Sequence, residues 1–300
     1  MKQNDPILSH AQFEDIRAKA DRLLRDAGAY GCFPTPIERI IKVAKVHLDE
    51  ENSLDSNMMQ RLYRKATDVI KHALDKVLGI FDVRANTIYY DHSIHKAKKP
   101  FLLLHETGHS YLEWQKATYA FLEDGKGNLE PEVSEAFECE ANVFASEVLF
   151  QVGQFTSFAE DMPLALGTPM SLAKKFGSSI YSSVRRFAAT TSRCCVILVL
   201  DPPVLTNGVA VFALRRPLPS PSFVLKYGDV AWQPDISRLN FPSRALPHIG
   251  RNIQKVVKPS KVEITIGYEK ESFTAEAFNS TQNVFVLLYP QGQIVCAHAR

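Results

Sequence analysis

Leu102-Leu103-Leu104-His105-Glu106-Thr107-Gly108-His109 sets two histidines four residues apart inside an apolar run. On an α-helix such residues share one face, with Cβ atoms about 5–6 Å apart, so both imidazoles can reach one ion. Zinc takes imidazole nitrogen at about 2.0–2.1 Å in a tetrahedral shell, and a catalytic zinc keeps three protein ligands and an open fourth position. The glutamate after the first histidine then stands beside that position as a general base. This reading demands a helix here and a third ligand elsewhere in the chain.

The totals allow both. At 300 residues, 45% hydrophobic and 23% charged, the chain can build two domains with buried cores. The start, Met1-Lys2-Gln3-Asn4-Asp5-Pro6, carries no apolar segment behind a basic one. The longest apolar run, residues 194–200, is far too short to span a bilayer, so the expected location is the cytoplasm. Five cysteines, Cys32, Cys139, Cys194, Cys195 and Cys296, share no repeated spacing, which argues against a disulfide framework. A net charge of +2 decides nothing about nucleic acid until its distribution is considered.

Upstream of the motif, residues 11–28 have helical periodicity and end in a stretch with two Gly and two Pro. Thr35-Pro36-Ile37-Glu38 reads as a capping box with Pro at the first helical position, opening a second helix with Ile37, Ile40, Ile41 and Ala44 on one face. Residues 55–74 give another amphipathic helix. Residues 77–83 and 87–90 are β-prone around Arg84-Ala85-Asn86, a hairpin that hands into the motif helix after Pro100. Such a strand beside a zinc helix offers an extended peptide an edge to pair with.

Downstream, the chain loosens after Trp114 into a loop at 123–128, and Pro131 opens a helix running through Ala145. The third ligand is expected on that helix, where Glu135, Glu138 and Glu140 compete. Glu138 and Asn142 lie four apart on one face, so a carboxylate ligand at the first can be accompanied by an amide that hydrogen-bonds a zinc histidine. Glu140 points about 200° away from Glu138 on the helical wheel. Glu135 stays open. Oxyanion support is expected from Tyr89, Tyr90, His95 or Tyr111, which lie near the motif in sequence. Cys32, in Tyr30-Gly31-Cys32-Phe33-Pro34, is a thiol that can fill the open position and hold the site latent, or else a small buried hydrophobe.

His105-Glu106-Thr107-Gly108-His109 followed by Glu138-Cys139-Glu140-Ala141-Asn142-Val143-Phe144-Ala145-Ser146-Glu147-Val148-Leu149 resembles the ImmA/IrrE family of metallopeptidases. That family joins a zinc-binding H-E-x-x-H helix to a later E-x-E-A-N-x-F-A helix. The resemblance implies Zn2+ held by His105, His109 and Glu138, with Glu106 as the base. Phe150-Gln151 stands where the family closes its second motif with Met-Pro.

Farther on, Thr168-Pro169 starts a helix, and Leu172 to Phe187 reads helix, turn, helix, like a segment of the same family. A DNA-reading unit of this kind would present Ser178-Ser179-Ile180-Tyr181-Ser182 with Arg185 and Arg186; the competing reading is a packing unit of the peptidase domain. Residues 194–200 are a buried strand, and the remainder is β-rich. Between 210 and 262 the cations Arg215, Arg216, Lys226, Arg238, Arg244, Arg251, Lys255, Lys258 and Lys261 face only Asp229 and Asp235. They are interleaved with Phe212, Phe223, Tyr227, Trp232 and Phe241. Cations with rings are what single-stranded nucleic acid sites use; a solvated basic face over core aromatics is the alternative.

The expected fold class is therefore α+β. A helical, gluzincin-type zincin-like peptidase core with a short β-hairpin or sheet occupies residues 1–160. A helix-turn-helix-like segment follows at 161–191 and a β-rich α+β sensor domain, GAF-like by the resemblance, at 192–300. The resemblance implies an endopeptidase that cleaves a helix-turn-helix transcriptional repressor under control of its C-terminal domain; the basic, aromatic stretch adds the expectation that single-stranded DNA, a signal of damage, binds the C-terminal half. The rival expectation is a non-proteolytic, zinc-stabilised transcriptional regulator that binds DNA or a ligand.

Overall fold

The computed structural model describes residues 8–49, 79–123, 129–237, 246 and 256–292. Ser9 opens α1 (His10–Asp26) with a reciprocal cap: its side chain accepts from the Gln12 backbone while the Gln12 side chain accepts from the Ser9 N–H. Ile16, Ala20, Leu23 and Leu24 form its buried stripe. Then comes α2 (Ile37–Val43), whose N-cap is Pro36 with no side-chain cap. The capping box expected at Thr35 is not formed. The Thr35 hydroxyl is buried and donates instead to the Leu149 carbonyl at 2.8 Å, a tertiary bond that local sequence does not announce. The helix expected over residues 55–74 lies outside the described residues.

Strands β1 (His47–Leu48), β2 (Gly79–Asp82) and β3 (Thr87–Tyr90) make a sheet of order β1-β3-β2. In it β1 runs parallel and β2 antiparallel to β3. The hairpin turn places Asn86 at φ +50°, a conformation that Asn tolerates better than most residues. Its side-chain oxygen accepts from Ser110 and Lys116, tying the turn to the helices that follow.

The motif helix is α3 (Lys99–Tyr111), entered through Pro100 in its first turn, where a missing N–H costs nothing. Leu103 packs with Ile41, Val46, Ile88 and Tyr90, seating the helix on the small sheet. At Leu112 the backbone turns extended, and a helix not foreseen from the sequence begins at once: α4 (Glu113–Glu123). Residues 124–128, most of the expected loop, lie outside the described residues. Then α5 (Pro131–Leu149) packs along both α3 and α1.

The helices pack tightly at Gly108, where a Cβ would meet Phe144 at 3.1 Å and the Ala141 backbone at 3.3 Å. Gly108→Ala is therefore expected to push α3 and α5 apart by a few tenths of an ångström. It should lower Tm by the few degrees that about 1–3 kcal/mol of overpacking costs, and weaken any metal binding by the expected ligands His105, His109 and Glu138, which lie on these two helices. Thermal denaturation with and without zinc checks both effects.

After α5, Phe150 caps the helix and Gln151 takes φ +50°. Fully buried, Gln151 accepts from the Gly31 N–H and donates to the Cys32 carbonyl and Thr35 hydroxyl. This amide clamp occupies the place where the resembled family has Met-Pro. Nearby, Gly177 sits at φ +75° with a Cβ position only 2.9 Å from Pro34, so both conformation and space require glycine there.

The chain continues with α6 (Gln154–Glu160), α7 (Gly167–Phe176), α8 (Ile180–Thr190), β4 (Val196–Leu200), β5 (Val204–Thr206), β6 (Val209–Pro219), α9 (Pro221–Tyr227), β7 (Asp235–Ser237), β8 (Ser260–Ile266), β9 (Glu269–Asn279) and β10 (Val284–Pro290). The result is a mixed α+β fold of two compact units: Met1–Gln154 with Lys174–Ser179, and Phe155–Ala173 with Ile180–Arg300. The stretch 161–191 is thus shared between them.

In the second unit the sheet runs β5-β6-β4-β10-β9-β8 with antiparallel neighbours, and β7 adds to β6. Every residue of β4 is buried, as its unbroken apolar run predicts. The amphipathic helix α8 buries Val184, Phe187 and Ala188 and packs against β4 and β6, so it belongs to this sheet rather than to the motif helices. Among the described residues no helix is long and apolar enough to cross a membrane.

Candidate metal centre

Helices α3 and α5 bring three lone-pair donors to one point. His105 Nε2 lies 3.2 Å from a carboxylate oxygen of Glu138, His109 Nε2 lies 3.4 Å from the other, and the two Nε2 atoms are 3.1 Å apart. A tetrahedral shell with bonds of about 2.0–2.1 Å has edges of about 3.3–3.4 Å, so this triangle fits a zinc-sized ion. Among the described residues it is the one cluster of at least three His, Cys, Asp or Glu with ligand atoms all within 4.8 Å.

The hydrogen-bond network fixes which ring nitrogens face the ion. Gln115 on α4 donates its amide N–H groups to the Phe137 carbonyl at 3.1 Å and the Glu140 carboxylate at 2.7 Å, both pure acceptors. Its oxygen must then face His109 Nδ1, at 2.7 Å, and that nitrogen must carry the proton. The Nε2 lone pair is left for a metal. His105 Nδ1 is held in the same way by the Asn142 side-chain oxygen at 3.2 Å. Two imidazole lone pairs and a carboxylate facing one another at such distances repel unless a cation sits among them, and carbonyl partners on the outer nitrogens are the usual company of metal-bound histidine.

This resolves the competing glutamates. Glu138 joins the cluster; Glu140 is buried and accepts from both Gln115 and Trp114, at 2.7 Å each, facing away from it. Glu135 is exposed and outside the cluster. Gln115→Leu should cost about 10–100-fold in zinc affinity, the usual worth of an outer partner, while leaving all three ligands in place. Competition with a chromophoric chelator measures it.

Glu106 is 7% exposed, directly beside this cluster. Burial pushes its carboxyl pKa up, and the nearby imidazoles together with the Phe81 backbone N–H on edge strand β2 only partly oppose that. Partial desolvation opposes ionisation of the half-exposed Glu138, but where the two imidazoles carry protons on Nε2 their hydrogen bonds and charge prevail and hold its carboxyl well below the ordinary range; a cation in place of those protons exerts the same pull. The phenol of Tyr119, edge-on to the His109 ring at 5.6 Å between centroids, is pushed up by burial and by the charges of Glu138, Glu106 and Glu140.

Other sequence candidates fall elsewhere. The Cys32 sulfur lies outside the ligand cluster and receives a guanidinium hydrogen bond from Arg39 at 3.2 Å, so the expectation of a latent thiol ligand is not met. Tyr90 accepts from Lys99 Nζ at 2.9 Å, His95 Nδ1 accepts from the Ala97 N–H, and Tyr111 stacks on Phe144. Tyr89 feels Asp82 and Asp49 rather than the metal-site carboxylates.

In the basic stretch, Arg238, Arg244, Arg251 and Lys255 lie outside the described residues. Phe212 and Phe223 are core residues, and Tyr227 and Trp232 pack against that core, so these rings are not a free stacking surface. Arg215 stands at a register shift between β4 and β6 and donates to Asn283 at 3.1 Å. The Arg216 side chain is half-buried, and Lys258 lies just before β8. The sequence reading missed Gln115 and Tyr119, both on the unforeseen helix α4.

The chain matches no protein-family model and no curated sequence. Among solved structures it is similar to a Mycobacterium tuberculosis transcriptional regulator, at 13% identity and a TM-score of 0.53, over 92% of this chain and 75% of that one. At such identity the likeness shows the fold alone.

Proposed function

We propose that the protein is a zinc-dependent endopeptidase that cuts a regulatory protein, a helix-turn-helix transcriptional repressor, with the first unit as a gluzincin-type zincin-like core. The observation that carries this reading is the buried carboxyl group of Glu106 next to the cluster of His105, His109 and Glu138: a structural metal site has no use for a desolvated base beside it.

A divalent ion held by His105, His109 and Glu138 would acidify water and polarise a carbonyl. Glu106 takes the proton from the attacking water and passes it to the departing amine. Gln115 and Asn142 hold the imidazoles in the tautomer that leaves Nε2 free. Strand β2, at the sheet edge, offers backbone groups to an extended substrate. The second unit, with its fully buried β4 inside the sheet, serves as the controlling domain, GAF-like in the sense of the family resemblance.

A second reading has one observation in its favour: the protein of similar fold is a transcriptional regulator by name. On that reading the zinc is structural and regulation needs no cleavage. The basic side chains between 210 and 262 attract polyanions on either reading, but with Phe212 and Phe223 in the core they lack the rings that would stack single-stranded DNA.

The deciding experiment profiles new protein N-termini after incubating zinc-loaded protein with an extract of its own cells, with and without 1,10-phenanthroline. The expected result is a small set of chelator-sensitive cuts that includes a DNA-binding repressor. A fully zinc-loaded protein that generates no new termini would support the non-proteolytic regulator.

A further inference from the structure

Resting on the peptidase reading of this site, we infer that Tyr119 is a catalytic residue whose hydroxyl donates a hydrogen bond to the scissile carbonyl oxygen as that oxygen gains negative charge. Tyr119 lies one turn after Gln115 on α4, on the same helix face, so the element that orients His109 also delivers the phenol. The ring is fixed between two neighbours, edge-on to His109 at 5.6 Å and to Phe137 at 5.7 Å. Phe137 immediately precedes the ligand Glu138.

The hydroxyl makes no hydrogen bond among the described residues, although the ring is largely covered. Among the described residues the fully buried hydroxyls without a partner are those of Tyr227 and Ser260, so the Tyr119 hydroxyl is open to solvent and within reach of an incoming group. The charges of Glu138, Glu106 and Glu140 all act on it, so it lies within electrostatic reach of the ligand and the base. Of the four residues expected from sequence for this role, Tyr90 and His95 carry hydrogen bonds elsewhere and the Tyr111 ring packs on Phe144.

In the reaction, the water oxygen bonds to the carbonyl carbon, the C–N bond breaks, and the water proton travels through Glu106 to the leaving nitrogen. Tyr119 keeps its proton throughout, since burial and the neighbouring carboxylates push its phenol above the ordinary value of about 10. Its contribution is a donor aimed where charge develops, and loss of one such donor costs about 10²–10³ in kcat.

The test uses full-length protein loaded with Co2+, titrated with acetohydroxamate and read from the visible spectrum of the metal, alongside Tyr119→Phe. The variant is expected to show the wild-type cobalt spectrum without ligand and a hydroxamate affinity about tenfold to a hundredfold weaker, the worth of one hydrogen bond to a charged group. Unchanged affinity overturns the proposal. So does a shifted spectrum in the unliganded variant, since the hydroxyl would then act on the ligands themselves, and so does a cobalt-loaded wild type that binds no hydroxamate. Turnover is not needed for this readout. A protein that cuts nothing yet loses hydroxamate affinity in Tyr119→Phe would sink the peptidase reading and leave the placement of the donor standing.

Discussion

Glu106→Gln is expected to reduce peptide cleavage by about 10²–10⁴, the range contributed by a positioned acid–base group, while zinc binds with unchanged stoichiometry. The side chain is isosteric, keeps an oxygen for the Phe81 N–H, and supplies no atom to the ligand triangle of His105, His109 and Glu138. What it loses is the ability to take and return a proton. The variant should also unfold at the same temperature as wild type or higher. Burial already penalises the Glu106 carboxylate, so a neutral amide there removes an unfavourable charge rather than a stabilising one. Rates measured on any bond found by N-terminal profiling, together with metal analysis of both proteins, check the three expectations at once. Equal cleavage by variant and wild type would remove Glu106 from the mechanism.

Glu138→Ala should act on binding instead. It removes one of three ligand atoms and the carboxylate that both imidazoles face at 3.2 and 3.4 Å. Zinc affinity should fall by more than about 100-fold, beyond the upper end of what an outer partner is worth. The stabilisation that zinc confers by binding only the folded state, about 2.7 kcal/mol at a hundred times the Kd, should vanish with it. A thermal melt with and without zinc reads this directly. Wild type is expected to gain several degrees and Glu138→Ala almost nothing; Glu135→Ala, at an exposed position outside the cluster, should behave as wild type. A variant that keeps the full zinc-dependent shift would mean that another group completes the shell.

The cluster of His105, His109 and Glu138 was legible in the sequence because its members follow local rules. His105 and His109 are four apart on one helix, Glu138 and Asn142 four apart on another, and the apolar run before His105 and the strand at 196–200 announce their own burial. Asn142 does hold His105, as its spacing from Glu138 predicts.

What escaped depends on tertiary choices. Gln115 and Tyr119 lie on α4, which starts one residue after α3 with neither Gly nor Pro to mark the break. The role of Gln115 comes from acceptors contributed by α5, more than twenty residues away. Thr35 reads as a cap by local rules, yet its hydroxyl is claimed by Leu149. The rings at 212 and 223 sit among cations in sequence, but the periods of β6 and α9 turn them into the core. Composition reports which residues are neighbours along the chain; the sheet and helix periods decide which of them meet water.

The measurement that bears most directly on the central claim is zinc K-edge absorption of the full-length protein after equilibrium dialysis against zinc. The account predicts one equivalent of zinc in a shell of nitrogen and oxygen at about 2.0–2.1 Å, with the outer-shell scattering of two imidazoles and no sulfur. A sulfur distance near 2.3 Å, which would bring a cysteine into the shell, or failure to retain one equivalent of zinc, would contradict it.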